Sequence, residues 1–121
     1  MGAVGVCRTW LPPVWVPWLH GFRRGVPWDQ QIRDTADGKA RYAQHVDIEA
    51  LEMSLVDPSN VIAHELPRTR RAVRMFWMDT GAMIGASCGE ETTMVYVEWA
   101  QSGAVHGRPI TLAELKRKGL S

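Results

Sequence analysis

Residues 72–100 constrain the fold more than any other stretch of the chain. The run 72–78 is rich in strand formers, the run 93–99 alternates apolar and polar positions, and 82–88 lies between them. Asp79-Thr80-Gly81 offers a glycine for positive φ, and Gly89-Glu90-Glu91 marks a second turn. Connections this short favour antiparallel neighbours, so the spacing predicts a three-stranded antiparallel meander. In its third strand Val95, Val97 and Trp99 share one face while Tyr96 and Glu98 share the other, the alternation of a half-buried sheet. Gly85, inside the second run, predicts a bulge or a close approach of another backbone.

The flanking segments make this an α+β chain. Residues 29–44 place Ile32, Ala36, Ala40 and Ala43 on one helical face, with Asp29 available as a cap and Gly38 able to divide the helix. Asp47 caps a second helix whose stripe is Ile48, Leu51 and Leu55, and Asp57-Pro58 stops it. Residues 61–66 read as a short strand, and Gln101 to Gly107 as a loop. Thr111 and Glu114 form the capping box of a last helix, with Lys116, Arg117 and Lys118 at its C-terminal end and Gly119 just beyond. The expected architecture is a three- to four-stranded β-meander packed against two or three short helices. At 121 residues the chain suits one domain that needs no disulfide or metal to hold its core.

Composition changes sharply near residue 28. Residues 1–27 hold four of the seven prolines, three of the six tryptophans and no acidic residue. They read as an extended, polyproline-like arm preceding a domain at 28–121. Either the arm is unordered, or its Trp15 and Trp18 cover an apolar face of the domain or of a partner. Pro12, Pro13 and Pro17 would interrupt a signal-peptide core, and no apolar run reaches the ~18 residues of a membrane span. A cytoplasmic protein is expected, with Cys7 and Cys88 as free thiols.

The net charge of +1 provides no overall field for nucleic acid, so any such case rests on local clusters. Arg68, Arg70, Arg71 and Arg74 form one cluster at the sheet edge, and guanidinium forks match phosphate oxygens. Residues 29–65 offset it with eight acidic side chains against three basic ones. The structural alternative is a solvated basic loop with Arg74 paired to Glu98. Histidine is the side-chain type whose ordinary pKa lies near neutrality, and His45, His64 and His106 are the candidates. Metal-free RNA cleavage needs one group to take the 2′-hydroxyl proton, another to protonate the leaving oxygen, and cations to hold the phosphate charge. Histidines with several arginines meet that need. No P-loop, dinucleotide-binding, nucleophile-elbow or zinc-protease motif is present, and the histidines lack metal-ligand spacing, so neither cofactor nor metal is expected.

From residue 26 to 118 the order of elements resembles the BrnT toxin family of the RelE/ParE-like ribonuclease group. Val26-Pro27-Trp28-Asp29 is similar to that family's opening strand, and Tyr42-Ala43-Gln44-His45-Val46 to its Lys-His-Gly helix end. Gln44 stands where the family has lysine, and Val46 where it has glycine. Asp47 to Pro58 looks like its short helix and Asp-Pro stop, and Gly107-Arg108-Pro109-Ile110-Thr111 with Glu114 looks like its ending. The resemblance implies a ribonuclease toxin with a DNA-binding antitoxin partner, and site roles for His45, Arg74 and Arg108. His64 is a further proton-moving candidate, and Arg68, Arg70, Arg71, Lys116 and Arg117 are the candidate RNA contacts. The competing expectation is a non-catalytic interaction module (an immunity, phage accessory or structural subunit) that uses the tryptophan-rich arm.

Overall fold

A computed structural model describes residues 10–17, 20–57, 62–65 (backbone only) and 72–120. The elements run β1 (Val14–Trp15), α1 (Trp28–Asp34), β2 (Arg41–Tyr42), α2 (Ile48–Leu55), β3 (Ile62–Glu65), β4 (Ala72–Asp79), β5 (Gly85–Ser87), β6 (Glu90–Thr92), β7 (Met94–Ala100), β8 (Ala104–Ile110) and α3 (Leu112–Arg117). Expectations for Cys7, Trp18, Pro58, Arg68, Arg70 and Arg71 fall outside the described residues, as does the side chain of His64. No helix among the described residues is long and apolar enough to cross a membrane.

The class is α+β. One sheet has the order β1-β8-β7-β4-β3, and a smaller one the order β2-β5-β6. Strands β3, β4, β7 and β8 form an antiparallel meander, but its membership departs from the expected one. Residues 82–88 do not supply its middle strand: β4 pairs directly with β7, from Val73↔Ala100 to Asp79↔Met94. The reason lies in the turn chemistry. Asp79 Oδ1 accepts from the Gly81 amide and the Thr93 hydroxyl, and the Thr80 amide donates to the Thr93 carbonyl at 2.9 Å. These bonds clamp residue 80 to residue 93, so the intervening chain leaves the sheet. It forms the β5–β6 hairpin, turned by Cys88 and Gly89, both at positive φ. Gly85 marks the close approach foreseen for it: a Cβ there would stand 2.4 Å from the Arg41 carbonyl oxygen and 2.6 Å from Pro109 Cγ.

The expected helix over 29–44 is shorter. It ends at Asp34, and Arg41–Tyr42 is strand, although Ala40 and Ala43 are buried as their spacing implied. Helix α1 is held by Gln31, not by an apolar stripe. Its fully buried amide donates to the carbonyls of Arg23 and Val26 and accepts from the Arg23 amide. Asp29 is not the cap: Pro27 occupies that position, and Asp29 sits in the first turn, paired with Arg33. Asp47 does cap α2, and Thr111 with Glu114 completes the box on α3.

The alternation on β7 is borne out, but both faces are covered. Val95, Val97 and Trp99 pack with Phe76, Val105, Tyr42 and Leu55 of α2. On the other side Tyr96 packs with Val73, Met75, Ile110 and Leu115 of α3. Each such fully buried side chain contributes about 1.5–3 kcal/mol. Residues 101–103 turn, and 104–110 are strand and not loop; Pro109 there needs no ladder amide. The arm joins the sheet. β1 lies parallel to β8, with Val14 paired to Ala104 and Trp15 to Val105. The Trp10 ring packs 5.5 Å from that of Trp99.

Candidate functional site

Directly opposed residues of an antiparallel pair project from the same face, and the face alternates along each strand. On β7 and β8 this rule assembles a quartet: Tyr96 stands opposite Arg108, and Glu98 opposite His106. Arg74 stands opposite Trp99, which stands opposite Val105, so it projects from the other face. Arg74 and Arg108 therefore do not meet at one phosphate. Nor does Arg74 pair with Glu98. Its guanidinium carbon lies 4.2 Å from the ring centre of Trp10 of the arm and 5.1 Å from that of Trp99 on β7, a cation–π contact with each ring.

The quartet lines a cleft of about 250 Å³ together with His20, Lys39 and Lys118. The arm and the segment before β2 supply His20 and Lys39, and the end of α3 supplies Lys118. The Lys118 ammonium sits 4.9 Å from the centre of the Tyr96 ring. The Tyr96 hydroxyl donates to Glu98 Oε2 at 2.6 Å. Burial, reinforced by Glu98, raises the Tyr96 phenol well above its ordinary value and keeps it protonated.

His20 lines the cleft with its imidazole. Its Nδ1 lies 2.8 Å from the Ala40 carbonyl oxygen. A carbonyl only accepts, so Nδ1 carries the proton and the neutral ring keeps its lone pair on Nε2. Burial lowers the His20 pKa. The Ala40 bond opposes this, and the charges of Arg108, Lys39 and Arg41 add to the lowering. The imidazole is accordingly neutral at pH 7.

Arg108 is fixed from behind. Its Nη1 donates to Glu114 Oε2 at 3.0 Å and to the Pro109 carbonyl at 3.4 Å. Glu114 Oε1 in turn accepts from the Ser87 hydroxyl at 2.7 Å and from the Thr111 amide at 3.0 Å. The capping box therefore also locks an arginine. Burial alone would raise the Glu114 carboxyl; the Ser87 and Thr111 bonds and the Arg108 charge outweigh it and hold the pKa at about 2. The folded value lies below the ordinary 4.5, so this stabilisation is complete above about pH 4.5 and is lost as the pH falls toward 2. Glu114→Ala is expected to cost about 2 kcal/mol at neutral pH, a fall in Tm of roughly 8 °C for a chain this size. The deficit should shrink when the melts are repeated near pH 2, and an unchanged deficit there would contradict the assignment.

A second cavity, of about 220 Å³, adjoins the first. It is lined by Trp15, Pro17, Gly21, Tyr42, Ile48 and Glu52, and shares His20 and Gly107 with the cleft. Glu52 is only 2% exposed. It accepts from Trp15 Nε1 at 2.8 Å, from the Tyr42 hydroxyl at 2.7 Å and from the Gly107 amide. Burial raises its pKa, and these three donors oppose the rise.

Of the residues singled out in the sequence, Arg108 and His106 enter the cleft. His106 stands on β8, not in a loop. His45 is exposed in the turn before α2, away from the cleft. Lys116 and Arg117 are exposed on α3, and the adjacent Lys118 lines the cleft in their place. His64 lies on β3, which pairs with β4 at the far side of the sheet. Tyr96 and Glu98 were visible in the sequence as one face of a strand, without a partner strand to give that face meaning. Among the described residues, no group of three or more His, Cys, Asp or Glu is arranged to hold a metal ion. No known protein family matches the chain, and neither does any curated protein or solved structure.

Proposed function

We propose that the protein is a metal-independent ribonuclease and the toxin component of a toxin–antitoxin pair, with the β7–β8 cleft as its active site. The observation that carries this reading is the quartet Tyr96, Arg108, Glu98 and His106, set in a basic cleft beside a neutral histidine. His20 Nε2 takes the proton of a ribose 2′-hydroxyl. The 2′-oxygen attacks phosphorus, the bond from phosphorus to the 5′-oxygen breaks, and His106, as the general acid, delivers a proton to that oxygen. The products are a 2′,3′-cyclic phosphate and a 5′-hydroxyl. Arg108 and Lys118 hold the negative charge that grows on the phosphate oxygens. The toxin role and the antitoxin partner rest on the sequence resemblance over residues 26–118 alone, since Trp28 and Asp29 open a helix and Arg41–Tyr42 is a strand where that resemblance implies an opening strand and a helix end.

The competing interaction-module reading needs free tryptophans on the arm. Trp10 covers Arg74 and Trp99, and Trp15 binds Glu52, so both serve their own domain. The test is incubation of the folded protein with single-stranded RNA and excess EDTA. Cleavage to cyclic-phosphate ends, with growth arrest on expression in cells, is the expected result. Intact RNA under these conditions would overturn the reading.

A further inference from the structure

The cavity behind the cleft contains a buried carboxylate that the proposed cleavage chemistry does not use. The space is about 220 Å³, and two aromatic residues, Trp15 and Tyr42, line it with Pro17 and Ile48. An apolar, aromatic pocket with one convergent polar group is the usual chemistry for a flat heterocycle. Glu52 supplies the polar group. A carboxylate offers about four acceptor positions. Trp15, Tyr42 and Gly107 occupy three of them, which leaves one for a ligand N–H. His20 and Gly107 line both cavities, so a group in the pocket lies next to a phosphate in the cleft.

We infer that this pocket is a base-recognition subsite, which takes one nucleobase of the RNA and selects those that present an exocyclic amino group to Glu52. The inference deepens the ribonuclease reading and rests on it for the position of the phosphate. Adenine, cytosine and guanine carry such an amino group. Uracil presents a carbonyl at the position of the cytosine amine, and two acceptors facing each other repel. Cytosine and uracil are nearly the same size, so the discrimination between them reports the hydrogen bond and not the fit.

The experiment is binding of the four nucleoside 3′-monophosphates, followed by calorimetry on the full chain. Cytidine 3′-phosphate is expected to bind about tenfold more tightly than uridine 3′-phosphate, the effect of one hydrogen bond to a charged group. Glu52→Gln should collapse that ratio toward one. If Glu52→Gln fails to fold, Gly21→Leu serves instead. A Cβ at Gly21 meets only Ile48 Cδ1 at 3.8 Å, so a larger side chain can fill the pocket from its rim. It should weaken all four nucleotides and leave the affinity for inorganic phosphate unchanged. Equal binding of the cytidine and uridine phosphates by the parent protein overturns the proposal, as does a ratio that survives in Gly21→Leu. Intact RNA together with preserved base discrimination would remove the ribonuclease reading and leave the subsite standing. Cleaved RNA with no discrimination would do the reverse.

Discussion

Gly107→Ala is expected to remove a large part of the protein's stability without abolishing the fold. A Cβ on Gly107 would stand 2.4 Å from the Tyr96 carbonyl oxygen, 2.8 Å from Val97 Cγ2 and 3.0 Å from Glu52 Oε2. The first of these contacts is the decisive one. A side chain could swing away, but the Tyr96 carbonyl belongs to the backbone of the neighbouring strand. Moving it disturbs the β7–β8 ladder from Tyr96↔Arg108 to Glu98↔His106, and with it the cleft. The Glu52 contact adds to the cost, because the Gly107 amide is one of the three donors to that buried carboxylate. Overpacking of a rigid site costs about 1–3 kcal/mol, and a disturbed buried carboxylate a similar amount again. The expected loss is about 4 kcal/mol, against a total stability of roughly 5–15 kcal/mol. Urea denaturation checks it, with Gly21→Ala as the control, since Gly21 has room for a methyl group. A Gly107→Ala midpoint close to that of the parent would show that the strands can separate at this point.

The largest expected effect on activity comes from the two histidines. His106→Ala and His20→Ala should each lower the rate of RNA cleavage by about 10²–10⁴-fold, the range for a lost general acid or base. Arg108→Lys should lower it by roughly 10²-fold: the ammonium keeps the charge but loses the fork that Glu114 positions. The pH dependence separates the two histidines. In the proposed reaction His20 is the neutral base, and its pKa is lowered below the ordinary 6.5 by burial and by the nearby cations. The acidic limb of the rate profile should therefore fall below pH 6.5 in the parent and disappear in His20→Ala. If that limb persists in His20→Ala, another group is the base. Rates for both variants within twofold of the parent would sink the assignment of the cleft.

Much of the fold was legible in the sequence because local chemistry decided it. Asp47, Thr111 with Glu114, and Gly119 behave as their residue types dictate. The alternation over 94–100 places every side chain of β7 on the side that the period of two requires. The failures came where a long-range contact outvoted the local pattern. Ala36, Ala40 and Ala43 keep a helical spacing, but Tyr42 is drawn into a strand by its amide bond to the His20 carbonyl and by its hydroxyl on Glu52. The expected middle strand at 82–88 was displaced when Thr80 and Thr93 closed on each other. The site was less legible than the fold for the same reason. Arg74 and Arg108 both lie on strands of the meander, and only the register shows that they face opposite ways. His20 was hidden in a segment without periodicity. Nothing local marks it until the Ala40 carbonyl and Arg108 are brought beside it.

The parallel pairing of Val14 with Ala104 and of Trp15 with Val105 carries a consequence for how the protein is made. Those partners stand 90 positions apart in a chain of 121 residues. On a ribosome, β1 emerges before β8, so Trp15 stays unsheltered until β8 has followed. Contacts between such distant residues also make folding slow relative to chains built from local pairs. The segment that makes this sheet edge also carries Trp10 onto Arg74, Trp15 onto Glu52 and His20 to the cleft. The cleft is therefore closed only when the arm that carries His20 and the strand that carries His106 and Arg108 have met.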